Sequence, residues 1–369
     1  KLLSNFQKAV GHPDGCTEHN FILTSLIESA KRTGNELHIC WLDLADAFGS
    51  IPHDLMWHTL KKMGLHASTL TLFQNLYKEA ETIYQCQDTF SEPIKLHQGV
   101  KQGCPLSMTL FCLTIDYLIH ETQRAPGIPS IHGSKISALA YADDLVLFST
   151  SHSNLQNMIN TIVESAKWAR LRFKPPKCGY MAITKTSPPN TIIIDDTPIS
   201  IVDEKHLYKY LGVPHGSPKR QSISNITEQA ISDLALVLKS KLTMQQKIMA
   251  YKTFIHSRFT YALRNLDISL LAIQSHTRTQ CIGTEPYVGY DPTIAKMFKE
   301  ALHVPNCTNL DFLYTNKDLG GIGLTSLLEE LITQTTAYVY RLFNSQDSIV
   351  QTIVRAELIA SVTVRHQNT

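Results

Sequence analysis

Two short apolar runs, Ile136 to Ala140 and Leu145 to Phe148, flank Tyr141-Ala142-Asp143-Asp144. Runs this short and unbroken predict strands buried on both faces, with the residues between them forming a hairpin tip. A buried hairpin ending in two adjacent carboxylates constrains the fold severely, because like charges must be held together by a rigid frame. Hard divalent cations such as Mg2+ take oxygen ligands held at close quarters, so such a tip has the chemistry of a metal site. A second pair, Asp195-Asp196, follows Ile192-Ile193-Ile194 and precedes Thr197-Pro198. Its surroundings are ordinary turn chemistry, and a turn is all that is expected of it.

A third carboxylate has the right setting. Leu37-His38-Ile39-Cys40-Trp41-Leu42 is an apolar strand ending at Asp43, and a helix is expected from Ile51-Pro52, with Asp54 complementing its dipole and Gly64 stopping it. If that strand lies beside the hairpin, Asp43, Asp143 and Asp144 converge and can hold two metal ions for phosphoryl transfer. The competing reading of Asp43 is a helix N-cap or loop carboxylate. Between these segments Gln98-Gly99-Val100-Lys101-Gln102-Gly103-Cys104-Pro105-Leu106-Ser107 is a glycine-punctuated loop leading into a helix over Met108 to Glu121. Glycine permits close backbone approach to a ligand, and Gln102 carries both donor and acceptor; taken alone, the same loop also serves as a turn and cap.

A chain of 369 residues exceeds what one hydrophobic core supports, so two or three subdomains around a shared cleft are expected. The longest apolar stretch, Leu110 to Ile119, is broken by Asp116 and is far shorter than a bilayer span, so no membrane partner is expected. The eight cysteines are scattered singly and suggest neither a disulfide framework nor a zinc site. Net charge is only +2, yet from Leu234 to Leu266 there is no acidic residue, while Lys239, Lys241, Lys247, Lys252, Arg258 and Arg264 fall in helical sequence. On charge alone that is a solvated face; beside a polymerase site it becomes a phosphate-tracking surface.

The order LDLADAFGSIPH, GVKQGCPLS, AYADDLVLF, LRFKPPKCGYM and YKYLGV resembles the successive blocks of reverse transcriptases of the non-LTR, LINE-like retrotransposon type, over at least residues 5 to 215. The alanine of YADD and the AFGS form are closer to non-LTR elements and group II introns than to retroviruses. The resemblance implies an α+β right-hand polymerase fold: residual fingers over 1–35, an antiparallel-sheet palm over 36–203 with an inserted fingers segment near 65–97, a primer-grip hairpin at 204–216, a helical thumb over 217–330 and a truncated post-thumb connection over 331–369. It implies RNA-directed DNA synthesis from a DNA primer, an RNA template and dNTPs, with two Mg2+ ions, or Mn2+, on Asp43, Asp143 and Asp144. Leu44 would assist through its carbonyl. Phe48 falls where the family places a ring that excludes the 2′-hydroxyl. Gln102 and Gly103 would meet the incoming nucleotide and template, and Tyr141 the primer terminus. Lys177 would be a proton donor to pyrophosphate, with a surface lysine as the plain alternative. Tyr208, Lys209, Tyr210, Leu211 and Gly212 would seat the primer, and Lys239, Lys247 and Lys252 the duplex phosphates. Leu319 to Leu324 resembles a glycine-rich segment after the thumb.

Met108 stands where proline is usual and Arg170 where glycine is common. The segment Asn5-Phe6-Gln7-Lys8-Ala9-Val10 matches the end of the fingers and receives no catalytic role; Lys1 and Lys8 are not nominated as triphosphate ligands. The chain reads as a fragment that lacks the leading fingers and shows no endonuclease signature. A remnant that binds nucleic acid without polymerising is therefore the alternative to an active polymerase, while an RNA-dependent RNA polymerase is disfavoured by Phe48. From how such elements integrate, the resemblance implies a nuclear location, with the cytoplasm as the alternative.

Overall fold

The computed structural model describes residues 3–184, 191–203, 206–216, 224–265, 280–282, 285–287, 290–305 and 307–367. Lys1, residues 204–205 of the expected primer grip and 217–223 of the expected thumb lie outside them. The chain divides into two compact units, residues 1–217 with 345–369, and residues 218–344.

The first unit is built on a five-stranded sheet. Its members are β1 (Leu37–Leu42), β2 (Ala138–Tyr141), β3 (Asp144–Ser149), β4 (Gly179–Ile183) and β5 (Ser200–Ile201), in the order β5-β4-β1-β3-β2. All pairs are antiparallel except β4 with β5. Every residue of β1 is buried, as its unbroken apolar sequence requires. The helix α1 (Gly15–Thr33) precedes the sheet, while α2 (His53–Lys62), α3 (Pro105–Thr122) and α4 (His152–Trp168) fall between its strands. Pro105 occupies the first turn of α3, which begins earlier than the expected Met108. Residue Arg170, at the end of α4, has φ +60°: the Arg170 N–H donates to the Lys167 carbonyl and the Leu171 N–H to the Ala166 carbonyl. That is a helix end closed through a left-handed residue, which explains why a glycine suits the position.

The span 65–97 forms a helix, Ala67–Lys78, and two short ribbons pairing Glu81–Thr82 with Ile94–Lys95 and Gln85–Cys86 with Thr89–Phe90. A hairpin of β6 (Tyr208–Tyr210) and β7 (Val213–His215) closes through Leu211 at φ +44° and Gly212 at φ +80°, the two positive values a tight two-residue hairpin turn demands. Asp195 and Asp196 close a similar turn, at φ +49° and +60°, as expected of them.

The second unit is helical, with a core that includes Leu234, Tyr251, Phe259, Tyr290, Phe298, Leu313 and Leu327. The expected boundary at residue 330 is corrected. The helix Leu327–Phe343 crosses it and contributes Leu331 to this core, while Thr260 Oγ1 donates to Glu330 and Arg264 to Gln334. Residues from Ser345 onward belong instead to the first unit. Among the described residues no helix is long and apolar enough to cross a membrane.

Candidate active site

Strand register brings the carboxylates to one place. Leu42 of β1 pairs with Leu145 of β3, and Tyr141 pairs with Asp144 across a two-residue turn of Ala142 and Asp143. Continuing the first register by one residue sets Asp43 opposite Asp144, and opposed residues of antiparallel strands point to the same face. The chain after β1 is held by the fourth motif block. The Lys174 N–H donates to the Asp43 carbonyl (2.8 Å), the Ala45 N–H to the Arg172 carbonyl (2.8 Å), and the Asp43 N–H to the buried Cys178 Sγ (3.5 Å).

Burial raises the Asp144 carboxyl to about 6, with the Asp143 and Asp43 charges adding and Lys177 opposing. Asp143 is also raised, chiefly by burial, then by Asp43, against its own backbone N–H and Lys177. Lys177 Nζ stands 3.8 Å from Asp43 Oδ2, so the site carries three clustered carboxylates and one ammonium. Such a cluster favours additional positive charge. Among the described residues, no group of three or more His, Cys, Asp or Glu side chains closes tightly enough to cage a metal ion unaided. Mg2+ in nucleotide sites takes one or two carboxylates and completes its shell with waters and substrate phosphates, so an open carboxylate set suits that ion better than a cage. Asp43, Asp143 and Asp144 would hold the ions, with the Leu44 carbonyl adjacent.

The glycine loop is packed against the Asp43 loop. Gly99 has φ +81°, and a Cβ there would lie 2.7 Å from the Gly49 carbonyl oxygen, so only glycine lets the two backbones meet. The Gly99 N–H donates to the Ile51 carbonyl (2.7 Å) and the Val100 N–H to that of Phe48 (2.8 Å). Phe48 is half-buried and stacks on Phe111 of α3, ring centroids 4.3 Å apart, which fixes its ring from behind. Gln102 and Gly103 are exposed at the loop's apex, and Tyr141 is half-buried beside His19.

The β6–β7 hairpin packs on the face of β1 that carries Trp41. Tyr208 stacks on Trp41 with centroids 5.0 Å apart, in the space left by Gly179 opposite Trp41, where a Cβ would lie 2.7 Å from the Tyr208 ring. Burial foremost, then Cys178 and the Asp144 and Asp43 charges, raise the Tyr208 hydroxyl. The expectation for Tyr210 is corrected: its ring is 2% exposed and its hydroxyl lies 3.3 Å from His19 Nδ1, so packing consumes it and a primer has no access to it. Lys209 and Gly212 are exposed.

The basic helices of the second unit are less bare than their sequence. Lys247 Nζ donates to the Leu238 carbonyl (2.7 Å), Arg258 pairs with Asp233, and Arg264 is bound to Gln334. Lys247 is thereby corrected to a cap of the preceding helix end. Lys239 is exposed, and Lys252 is half-buried with its ammonium destabilised by burial and then by Lys317.

One contact escaped the sequence. Gln7, fully buried, reaches the turn that carries Asp143: its Oε1 accepts from the Ala142 N–H (2.9 Å) and its Nε2 donates to the Ala142 carbonyl (3.4 Å). No strand periodicity marks Phe6-Gln7-Lys8, so nothing local announced it.

In this order the blocks meet around three carboxylates and the Lys177 ammonium. The sequence profile of the family described as reverse transcriptase (RNA-dependent DNA polymerase) matches residues 1–215, and the chain belongs to that family. The relatives it matches include Pol polyproteins of R2 retrotransposable elements. It is similar to the retrovirus-related Pol polyprotein from type-1 retrotransposable element R2 of Nasonia vitripennis, 26% identical over 333 residues, covering 88% of this chain and 30% of that protein. The Pol polyprotein from type-2 retrotransposable element R2DM of Drosophila melanogaster is 25% identical over 326 residues, 85% of this chain and 29% of that protein. The chain thus spans about 30% of the length of the first of these relatives. Among solved structures, a Candida tropicalis telomerase in complex with a fragment of telomeric RNA aligns over 90% of this chain and 51% of its own, at 10% identity and a TM-score of 0.39.

Proposed function

We propose that this chain is the synthetic core of a non-LTR retrotransposon enzyme, extending a DNA primer with dNTPs on an RNA template. The observation that carries this is the register placing Asp43 opposite Asp144 at the Asp143 turn, with Lys177 Nζ 3.8 Å from Asp43 Oδ2. Reverse transcriptases use divalent metal ions, and here we assign two Mg2+, with Mn2+ as a substitute, to the three carboxylates. Ions bound there supply Lewis-acid activation of the primer hydroxyl and neutralise the triphosphate.

The chain's residues do the rest. The primer 3′-oxygen attacks the α-phosphorus in line; a phosphodiester bond forms, the bond to the β-phosphate breaks, and pyrophosphate leaves. The hydroxyl proton passes to solvent, and the Lys177 ammonium can donate a proton to the leaving pyrophosphate. Phe48, braced by Phe111, presents its ring to the sugar's 2′ position, so a ribose meets a steric barrier. Gln102 and Gly103 sit where nucleotide and template base would be cradled, Tyr141 by the primer terminus, and Lys209 with the hairpin backbone along the primer. We assign the helical unit as the thumb, with Lys239 and Lys252 facing duplex phosphate, and the nucleus as the site of action.

Primer extension tests this directly. The purified chain should extend a DNA primer on an RNA template with dNTPs and Mg2+, and Asp143→Asn should abolish extension. Activity that survives the substitution refutes the metal assignment. Tight template binding with no extension under any divalent ion assigns the chain instead as a nucleic-acid-binding remnant.

A further inference from the structure

The turn that carries Asp143 is strained, and the residue that relieves the strain lies far away in sequence. Ala142 has φ +53°, a left-handed value that L-residues with a Cβ rarely adopt. It is buried, so its N–H and C=O have no water to fall back on. Both groups are taken by one side chain, that of Gln7: Oε1 accepts from the Ala142 N–H at 2.9 Å, and Nε2 donates to the Ala142 carbonyl at 3.4 Å. A carboxamide offers an acceptor and a donor from one planar group and so can bracket a single peptide unit.

Gln7 is itself tied down. The Ala140 N–H donates to the Phe6 carbonyl (2.9 Å) and the Lys8 N–H to the Ala140 carbonyl (3.0 Å), so Phe6 to Lys8 run as a short parallel addition to the edge of β2. Gln7 Oε1 also accepts from the Ala9 N–H at 3.2 Å, which sets the amide's orientation. One residue further, Lys8 Nζ is buried between Glu18 Oε2 and Asp347 Oδ2, each at 2.7 Å. The edge segment therefore holds a fixed position from which Gln7 grips the turn.

We propose that Gln7 is the positioning residue of the metal-binding turn: by bracketing Ala142 it holds the left-handed backbone that aims Asp143 and Asp144 together. This rests on the polymerase reading above, but the clamp can be measured without polymerisation. The hydrogen bonds of the Gln7 side chain go to Ala142 and Ala9 rather than to Asp43, Asp143 or Asp144, so it acts through Ala142.

The test uses Gln7→Met, which keeps the buried volume and removes both hydrogen bonds to Ala142 together with the one from the Ala9 N–H, so the fold survives. Three readouts are taken on the whole chain: hydrogen exchange of the Ala142 amide, Mn2+ binding by electron paramagnetic resonance without substrates, and the split of kcat from the KM for dNTP. Loss of a partner for a buried backbone group predicts exchange at Ala142 accelerated roughly 10- to 100-fold and Mn2+ affinity weakened by roughly tenfold, with kcat falling more than KM rises. The decisive variant is Gln7→Met combined with Ala142→Gly. Glycine adopts the positive φ without a clamp, so the double variant should recover most of the lost Mn2+ affinity. Packing alone gives no such recovery. Mn2+ affinity and Ala142 exchange within twofold of the starting chain in Gln7→Met, or no recovery on adding Ala142→Gly, overturns the proposal. Wild-type chain that binds Mn2+ and shows the clamp's exchange pattern yet extends no primer refutes the polymerase reading and leaves the clamp standing.

Discussion

Lys8→Met is the most informative perturbation of the first unit's stability. Lys8 is 1% exposed and its ammonium lies 2.7 Å from both Glu18 and Asp347, whose side chains are themselves nearly inaccessible. Ser345 Oγ also bonds Glu18, and the Ile349 N–H donates to Asp347 at 2.7 Å, so neither carboxylate can turn to water. Substituting the lysine leaves two buried carboxylates without a cation, a change that costs about 3 to 5 kcal/mol. With a urea slope of roughly 3 kcal/mol/M for a unit of this size, the midpoint should fall by about 1 to 1.7 M. The assay is selective, because all three tryptophans, Trp41, Trp57 and Trp168, lie in the first unit and report its unfolding alone. The pH dependence should also reverse. Burial pushes the Asp347 carboxyl up, but Lys8 and the Ile349 and Val350 N–H groups outweigh it and hold it below the ordinary range. A depressed carboxyl contributes stability that is present above the unfolded-state value and lost as pH falls through the folded one. With Lys8 gone, burial dominates, and this carboxyl should instead cost stability as pH rises above about 4. A midpoint lowered by less than about 0.3 M, or an unchanged pH slope, refutes the account of a buried ion triad holding the two segments.

Two further substitutions test single elements. Phe48→Ala should raise incorporation of rNTP relative to dNTP by roughly tenfold or more, read as the ratio of kcat/KM values; unchanged sugar selectivity would make Phe48 a packing partner of Phe111 only. Arg170→Gly should stabilise by about 0.5 to 1 kcal/mol, the relief of a left-handed residue less the glycine's greater unfolded entropy, whereas Arg170→Ala should give no gain; equal gains in urea melts would point to lost charge instead.

The parts of the site legible in the sequence were those set by local periodicity. The unbroken apolar runs around Asp43 and Asp143-Asp144 forced buried strands, and strand ends carry their carboxylates with them. Arg170 was legible as an oddity whose cause appears only in its φ. Other features depended on what packs where. Gln7 meets Ala142 across 135 residues, and a lone buried glutamine leaves no periodic trace. Tyr210 looks like an exposed aromatic of a short hairpin, yet His19 receives it. The acid-free run from Leu234 to Leu266 overstated its free charge, since Asp233, Gln334 and the Leu238 carbonyl reach in from outside or from the backbone. The helical unit's boundary was missed because Leu327–Phe343 carries its apolar face straight past residue 330, and only tertiary packing says which core receives it.

The pairing of Lys8 with Asp347 has a consequence for the order in which this protein can mature on the ribosome. The 127 residues of the helical unit, Pro218 to Asn344, are translated between the two partners. At roughly 5 to 20 residues per second, a nascent chain that has completed the last strand of the sheet at Ile201 waits about 7 to 29 seconds for Asp347, the residue that completes its ion triad. During that interval the edge segment holding the Ala142 turn is secured by its backbone bonds to Ala140 and by Glu18, without Asp347, so the turn would reach full rigidity only after the helical unit has left the exit tunnel.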